Sequence, residues 1–406
     1  MTFFQSLSRK WAELWQFLRK LSPIHAIRVA VGLWILYAVI IATIVAIQPE
    51  RRSATLEYQW ATQKWWGGEK SLYQRKNGYL YLPQFAMFYT PYELLPDRVG
   101  EPLWRLTCLG SLALALWVTV SHLSRENRNT LFLLATVIVL PSSFSAARNG
   151  QVNMPLAALF LLTAIALARE RWWPAAILLA VTLILKPIAL APILLCAALF
   201  PKLRLPMLAC VVVTVLLPFA HFNPSYAAGE YVNFAKNLTQ AGAPKAGTWC
   251  DFAGMLNKFG VELSSILQLA VRALAGVLAL GLCWKALRAL DPLRGAILVL
   301  FLSTVYLMLF NPRTETNSYV MLGAFVAVFG AYSGLVGHRL KEAAGFVLLG
   351  AILGTESYGY PIFPWTNLWL KALATCVLAA WLAVKLLNGP ATARTLLAAS
   401  PGAPAR

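Results

Sequence analysis

An all-α, polytopic membrane protein is the fold class this sequence predicts, and three observations predict it. Of its 406 residues, 59% are hydrophobic and 13% charged, with a mean hydropathy of +0.63. Apolar runs of roughly 16 to 24 residues recur along the whole chain, the length that crosses a hydrocarbon core of about 30 Å. The formal charge of +19 is scattered singly or in pairs between those runs. That pattern suits positive-inside loops and anionic headgroups, whereas a nucleic-acid partner would call for one concentrated basic face. The length alone permits two or three soluble domains, but the composition excludes them. None of the six cysteines (Cys108, Cys196, Cys210, Cys250, Cys283, Cys376) forms a CxxC pair, and all but Cys250 lie in apolar runs. Neither a disulfide framework nor a metal site is therefore expected.

Residues 1–22 predict an interfacial amphipathic helix rather than a signal peptide. Phe3, Phe4, Leu7, Trp11, Leu14, Trp15 and Leu18 recur at helical spacing opposite Arg9, Lys10, Glu13, Arg19 and Lys20. A transmembrane domain fills 23–388, with larger loops at 48–78 and 221–262 and a small-residue-rich, disordered tail at 389–406. The first crossing spans 24–47. In the loop after it, Leu56, Trp60 and Trp65 mark one side of a short surface-lying helix ended by Gly67-Gly68. The run 79–96 is apolar, yet Pro83 and Pro91 argue for a re-entrant or surface-lying piece. Further crossings are expected near 101–122, 130–147, 152–169, 205–220, 263–284, 293–310, 318–336, 343–358 and 367–387. With the two halves of a broken hairpin at 172–185 and 188–200, the total is about twelve. No internal repeat is evident, which argues against inverted-repeat transporters.

The hairpin follows from the spacing of charge. From Trp172 to Phe200 the chain is too long for one crossing and too short for two, and Lys186-Pro187 divides it. Fourteen helical residues rise only about 21 Å. Cationic spots at Arg169 and Arg171 and at Lys202 and Arg204 place both ends on one side, so Lys186 sits at a tip inside the far half of the membrane. With the N-terminus inside, the cytoplasmic turns carry Arg125 and Arg128, Lys285, Arg288 and Arg294, and Arg339 and Lys341 as well. The unusual polar motifs, RNGQVN at 148–153, the Lys186 tip and NPRTETNSY at 311–319, all fall on the opposite side. The first loop there is itself basic, through Arg51, Arg52, Lys64, Lys70, Arg75 and Lys76, as a loop meeting a lipid phosphate would be.

ARNGQVN, followed by a short apolar helix, a basic turn and an apolar run ending in LKP, resembles glycosyltransferase family 87. YLYLPQFAMFYTPYELLP at 79–96 and NPRTETNSYVML at 311–322 resemble that family's aromatic-Tyr-Pro segment and later polar motif. The resemblance runs from about residue 55 to about residue 325. It implies a GT-C-type fold and transfer of a hexose, in the first instance mannose, from a polyprenyl-phosphate donor to a lipid-linked or periplasmic glycan acceptor. It further implies a bacterial inner-membrane enzyme whose site faces the periplasm, with membrane lipids as surroundings and no cofactor or obligatory metal.

Such a reaction needs a carboxylate to take the acceptor proton and donors to stabilise the departing phosphate. The family places an Asp in the first periplasmic loop, but no Asp occurs between Met1 and Tyr92. Glu57 is the nearest carboxylate, with Glu50 and Glu69 behind it, and otherwise it is a solvated loop residue. Glu315 is the rival base, or else the ion-pair partner of Arg313. Relatives carry Ser-Pro and often His in the region where Asn317 and Ser318 stand here, so a His-assisted mechanism does not carry over. Lys186 is the expected phosphate ligand, because a lone intramembrane lysine costs roughly 2.5–3.5 kcal/mol, the alternative being snorkelling to the interface. Arg148 and Arg313 are further phosphate candidates. Asn149, Gln151, Asn153, Asn317 and Tyr319 are candidates for sugar hydroxyls, and the first three serve alternatively as caps of the helix beginning near Met154. Two other readings of the same polar residues are a secondary transporter lined by Lys186, Arg148 and Glu315, and a non-catalytic scaffold of the same fold.

Overall fold

The computed structural model describes residues 3–48, 54–68, 70–74, 79–242 and 249–398. Glu50, Glu69, Arg51, Arg52, Arg75, Lys76 and the end of the expected tail lie outside them, as do the side chains of Phe3, Phe4 and Leu7. The described chain is helical, with no strand. Helix α1 (Phe3–Lys20) leads into α2 (Pro23–Ile47), and the first loop carries the short α3 (Thr55–Gly67) and α4 (Pro83–Glu93). Next come α5 (Asp97–Leu123), α6 (Arg128–Asn149), α7 (Asn153–Ala168), α8 (Trp172–Leu185), α9 (Leu190–Leu199) and α10 (Arg204–Leu216). The second large loop is built of α11 (Pro224–Gly242) and α12 (Phe252–Lys258). The remainder is α13 (Ser265–Ala289), α14 (Pro292–Phe310), α15 (Val320–Leu335), α16 (Leu340–Leu353), α17 (Phe363–Thr366), α18 (Leu370–Leu387) and α19 (Pro390–Ala393).

Eight of these segments are long and apolar enough to cross a membrane, fewer than the twelve expected. The difference lies in short helices: α7 has 16 residues, α8 and α16 have 14 each and α9 has 10. Pro187 breaks the α8–α9 hairpin as its position predicts. A residue before proline avoids the helical region, and Lys186 is extended at φ −161° and ψ 128°. The hairpin returns to the end it left, where Lys202 pairs with Glu170 at 3.5 Å.

The centre of the bundle is α15, the one described span whose apolar window is wholly buried, surrounded by α6, α7, α14 and α16. Small residues permit this approach, since lipid supplies no hydrophobic drive between helices. A Cβ at Gly323 would lie 2.2 Å from Ser142 Oγ on α6, and one at Gly330 would lie 3.0 Å from Phe346 on α16. Polar side chains add fixed points between α2 and α6, where Trp34 Nε1 donates to Thr136 Oγ1 at 2.9 Å. By contrast α13 is only 11% buried, so its apolar side chains face outward.

The connections sort to two ends. One holds α1, which docks on α15 through Trp15 against Gly334 and through Arg19 Nη2 donating to Gly334 O at 2.8 Å. The same end gathers the basic turns at 169–171, 202–204, 285–294 and 339–341. The opposite end carries α3, α4, α11, α12 and the polar motifs.

Two expectations need correction. The protein-facing side of α3 is Thr55, Tyr58, Ala61, Thr62 and Trp65, while Leu56 is exposed, because the tyrosines and Trp104 of α4 and α5 supply the partner surface. The tail expected to be disordered at 389–406 instead continues as α19 and a turn to residue 398. Burial of Leu396 and Leu397 and a bond from Arg339 Nη1 to Ala398 O hold that segment down.

Candidate functional site

The RNGQVN motif is a helix stop that the surrounding chain clamps. Gly150 closes α6 in the left-handed region (φ 65°), where its amide reaches Ala147 O at 3.1 Å and the Gln151 amide reaches Ala146 O at 3.0 Å. Three successive carbonyls each take a donor from another element. Arg148 O accepts from Arg105 Nε at 3.2 Å, Asn149 O from Ala54 N at 2.8 Å and Gly150 O from Trp104 Nε1 at 2.6 Å. Arg105 is itself buried in an ion pair with Glu101 one turn earlier on α5. Thr55 packs on Gly150, leaving no room for a Cβ there.

With the backbone held, the amide side chains connect laterally instead of capping a helix. Helix α7 begins at Asn153 with Val152 in the cap position and no side-chain cap bond. Lys186 Nζ, at the hairpin tip, donates to Asn153 Oδ1 at 3.1 Å. Asn153 Nδ2 donates to Gln151 Oε1 at 2.6 Å and points weakly at Asn317 Oδ1 (3.4 Å) and Ser318 Oγ (3.5 Å). Gln151 Nε2 then donates to Glu315 Oε2 at 2.8 Å. Residues from three motifs far apart in sequence thus form one chain that runs from ammonium through two amides to carboxylate. Glu315 acts electrostatically on Lys186 and Arg313 and on the Tyr58 and Tyr81 hydroxyls.

The Glu315 loop is braced from several sides. Pro312 ends α14 by setting Asn311 extended. Thr314 O accepts from Cys250 N at 2.8 Å, Thr316 O from Lys371 Nζ at 2.9 Å, and Tyr319 OH donates to Cys250 O at 2.8 Å. Tyr319 is fully buried by these contacts and braces the loop. Arg313 lies 5.4 Å from the Trp249 ring, and partial burial lowers its guanidinium pKa from the ordinary value while Glu315 opposes that shift. Asp251 caps α12 by accepting from Gly254 N at 2.7 Å, and burial raises its carboxyl to about 6 against that bond and Arg272.

Glu57 occupies the first turn of α3, half-buried, three residues after the Ala54 amide that binds Asn149. Next to it, Tyr58 OH and Tyr81 OH share a hydrogen bond of 2.8 Å. Burial raises both phenols well above their usual range, so both remain protonated donors. Asn149 is half-buried, its Oδ1 without a hydrogen-bond partner, and Arg148 sits half-buried beside it. The described residues contain no grouping of His, Cys, Asp and Glu suited to a metal ion.

Sequence reasoning missed the Glu101–Arg105 pair under Gly150 and the Lys371–Glu356 pair behind Thr316. Lys371 carries the same signal as Lys186, a lone lysine in an apolar span, and could have been flagged on that ground. The Tyr58–Tyr81 pair gave no signal, since tyrosines there read equally as interfacial belt residues.

Fold and site together define a multi-pass membrane protein with a carboxylate, amide and lysine cluster at one end of its helix bundle. The model of glycosyltransferase family 87 matches residues 79–312, more than half of the chain, and the protein belongs to that family. It is therefore a membrane glycosyltransferase that takes a sugar donor and an acceptor. No curated protein matches the sequence.

Proposed function

We propose that the enzyme transfers a hexose, mannose in the first instance, from a polyprenyl-phosphate donor to a lipid-linked or periplasmic acceptor. The observation that carries this reading is the Lys186–Asn153–Gln151–Glu315 chain. It presents a cation at a hairpin tip beside polar groups suited to sugar hydroxyls. The acceptor oxygen attacks the anomeric carbon, the bond from that carbon to the phosphate oxygen breaks, and the phosphate departs on its lipid. Lys186, of whose three donors Asn153 takes one, receives the leaving phosphate, with Arg148 and Arg313 as further contacts. Asn149, Gln151, Asn153 and Asn317 orient the sugar.

Glu57 takes the acceptor proton in this scheme, and Glu315, held by Gln151, organises the amides. The site faces the periplasm of an inner membrane, and no metal enters the reaction. The test is transfer from radiolabelled polyprenyl-phosphate hexoses by purified protein given a membrane lipid extract. Glu57→Gln should lower turnover by about 10²–10⁴-fold with donor binding intact, whereas Glu315→Gln should act mainly on binding or stability. Full turnover in Glu57→Gln would sink that assignment. Absence of transfer from every polyprenyl-phosphate sugar by the native protein would remove the donor class.

A further inference from the structure

Between α16 and α18 lies an open groove of about 570 Å³ lined almost entirely by apolar side chains, among them Leu349, Ala374 and Val377. Gly345 opens onto free space, with no atom within 4 Å of the position a Cβ would take. The groove runs from Lys341 to Ile352 on α16, about 16 Å of helical rise, or roughly the depth of one leaflet. In a bilayer such a slot is filled by hydrocarbon, because apolar surface left to water is unfavourable.

Its polar end identifies the hydrocarbon's owner. Arg339, Lys341 and Lys385 stand there against the single carboxylate Glu342, which binds Arg339 Nε and Lys385 Nζ at 2.7 Å each and leaves Lys341 exposed. Trp381 lines the groove at the same end, 5.4 Å under the Lys385 ammonium, as an interfacial aromatic does. The N-terminus of α16, the positive end of its dipole, points to the same place. A net charge of about two positive units at the mouth of a leaflet-deep apolar slot matches an anionic headgroup with an acyl chain below it.

We infer that the α16–α18 groove is a binding site for one anionic phospholipid, its headgroup at Lys341 and one acyl chain along Gly345, Leu349 and Ala374. The headgroup end of this site lies at the end of the bundle opposite the amide cluster, and the site does not depend on the sugar chemistry. The full-length protein is reconstituted in vesicles holding equal amounts of phosphatidylglycerol and phosphatidylcholine with identical chains, then released into mild detergent for native mass spectrometry. The wild type should retain one phosphatidylglycerol in preference to phosphatidylcholine by about tenfold.

Gly345→Leu places a side chain in the groove at a position where a Cβ meets no atom within 4 Å, and should lose that lipid. Gly110→Leu, at another open glycine outside the groove, should keep it and serves with melting temperature as the folding control. Lys341→Ala should reduce the preference for phosphatidylglycerol severalfold. Equal retention of both lipids by the wild type, or undiminished phosphatidylglycerol in a folded Gly345→Leu, would overturn the assignment.

Discussion

Lys186 and Lys371 are two lysines with the same sequence signature and opposite surroundings. Each is a lone cation in an apolar segment. At the top of α18, Lys371 is buried in an ion pair with Glu356 and donates to Thr316 O, its ammonium 5.6 Å from the Tyr319 ring. At the α8–α9 tip, Lys186 meets the neutral oxygen of Asn153, and no carboxylate among the described residues lies within ion-pair distance of it. Lys371 is neutralised by its own protein and holds the Glu315 loop in place. The charge of Lys186 is solvated by an amide and remains uncompensated at close range, the state that suits a transient anion. A lone intramembrane lysine therefore signals that a partner exists, and only the fold tells whether that partner is the protein or a ligand.

The comparison is tested hardest at Lys371. Removing one member of a buried pair leaves the other unpaired, so Lys371→Ala should destabilise by about 3–5 kcal/mol, read as a lowered melting temperature in detergent. The double variant Lys371→Met/Glu356→Gln should recover much of that loss. A Lys371→Ala protein as stable as the wild type would show that the two lysines do not differ in kind.

Lys186→Ala should behave in the opposite way. Loss of an uncompensated intramembrane charge leaves stability within about 1 kcal/mol of the wild type, while donor binding weakens by at least about tenfold. A protein that melts early would make Lys186 structural and remove its phosphate role.

Asn153→Asp gives Lys186 a carboxylate at nearly the same place and so converts its surroundings toward those of Lys371. The variant should fold normally and bind donor several-fold more weakly, measured as a rise in KM with less change in kcat. Unchanged donor affinity would mean that the uncompensated charge is not what the ligand uses.

Asp251 sharpens the comparison from the side of a buried acid outside the spans. Its carboxyl is raised to about 6, first by burial and against the Gly254 amide. The folded state therefore holds the proton more tightly than the unfolded one. Stability from this group is full below its unfolded value near 4 and is lost as pH rises toward 6, a swing of order 2–3 kcal/mol. Asp251→Asn, which keeps an oxygen for the Gly254 amide, should flatten the melting-temperature profile between pH 4 and pH 6.5. A profile of unchanged slope would refute the burial argument.

Topology is tested by the smallest perturbation. Cysteines placed at 239, exposed on α11, and at 315 should react with an impermeant reagent from the periplasmic side, and one at 170 should not. Labelling at 170 with protection at 239 would invert the orientation.

The hydropathy runs determined most of the helices, and Lys186-Pro187 determined the broken hairpin, because solvation by lipid and the proline ring act locally on whatever residues are present. Gly67-Gly68 was legible as a helix end for the same reason. Charge along the chain also sorted its connections into one basic and one polar end, since each short loop reports its side independently. Tertiary structure alone decided which polar residues meet. Gln151 could be read as a cap, but its partner Glu315 is 164 positions away, and nothing local to either residue specifies the other. The inward face of α3, the burial of Tyr319 and the pairing of Lys371 were settled by packing against distant helices. Side-chain partnership is a property of the assembled bundle, whereas helix formation and membrane solvation are properties of a stretch.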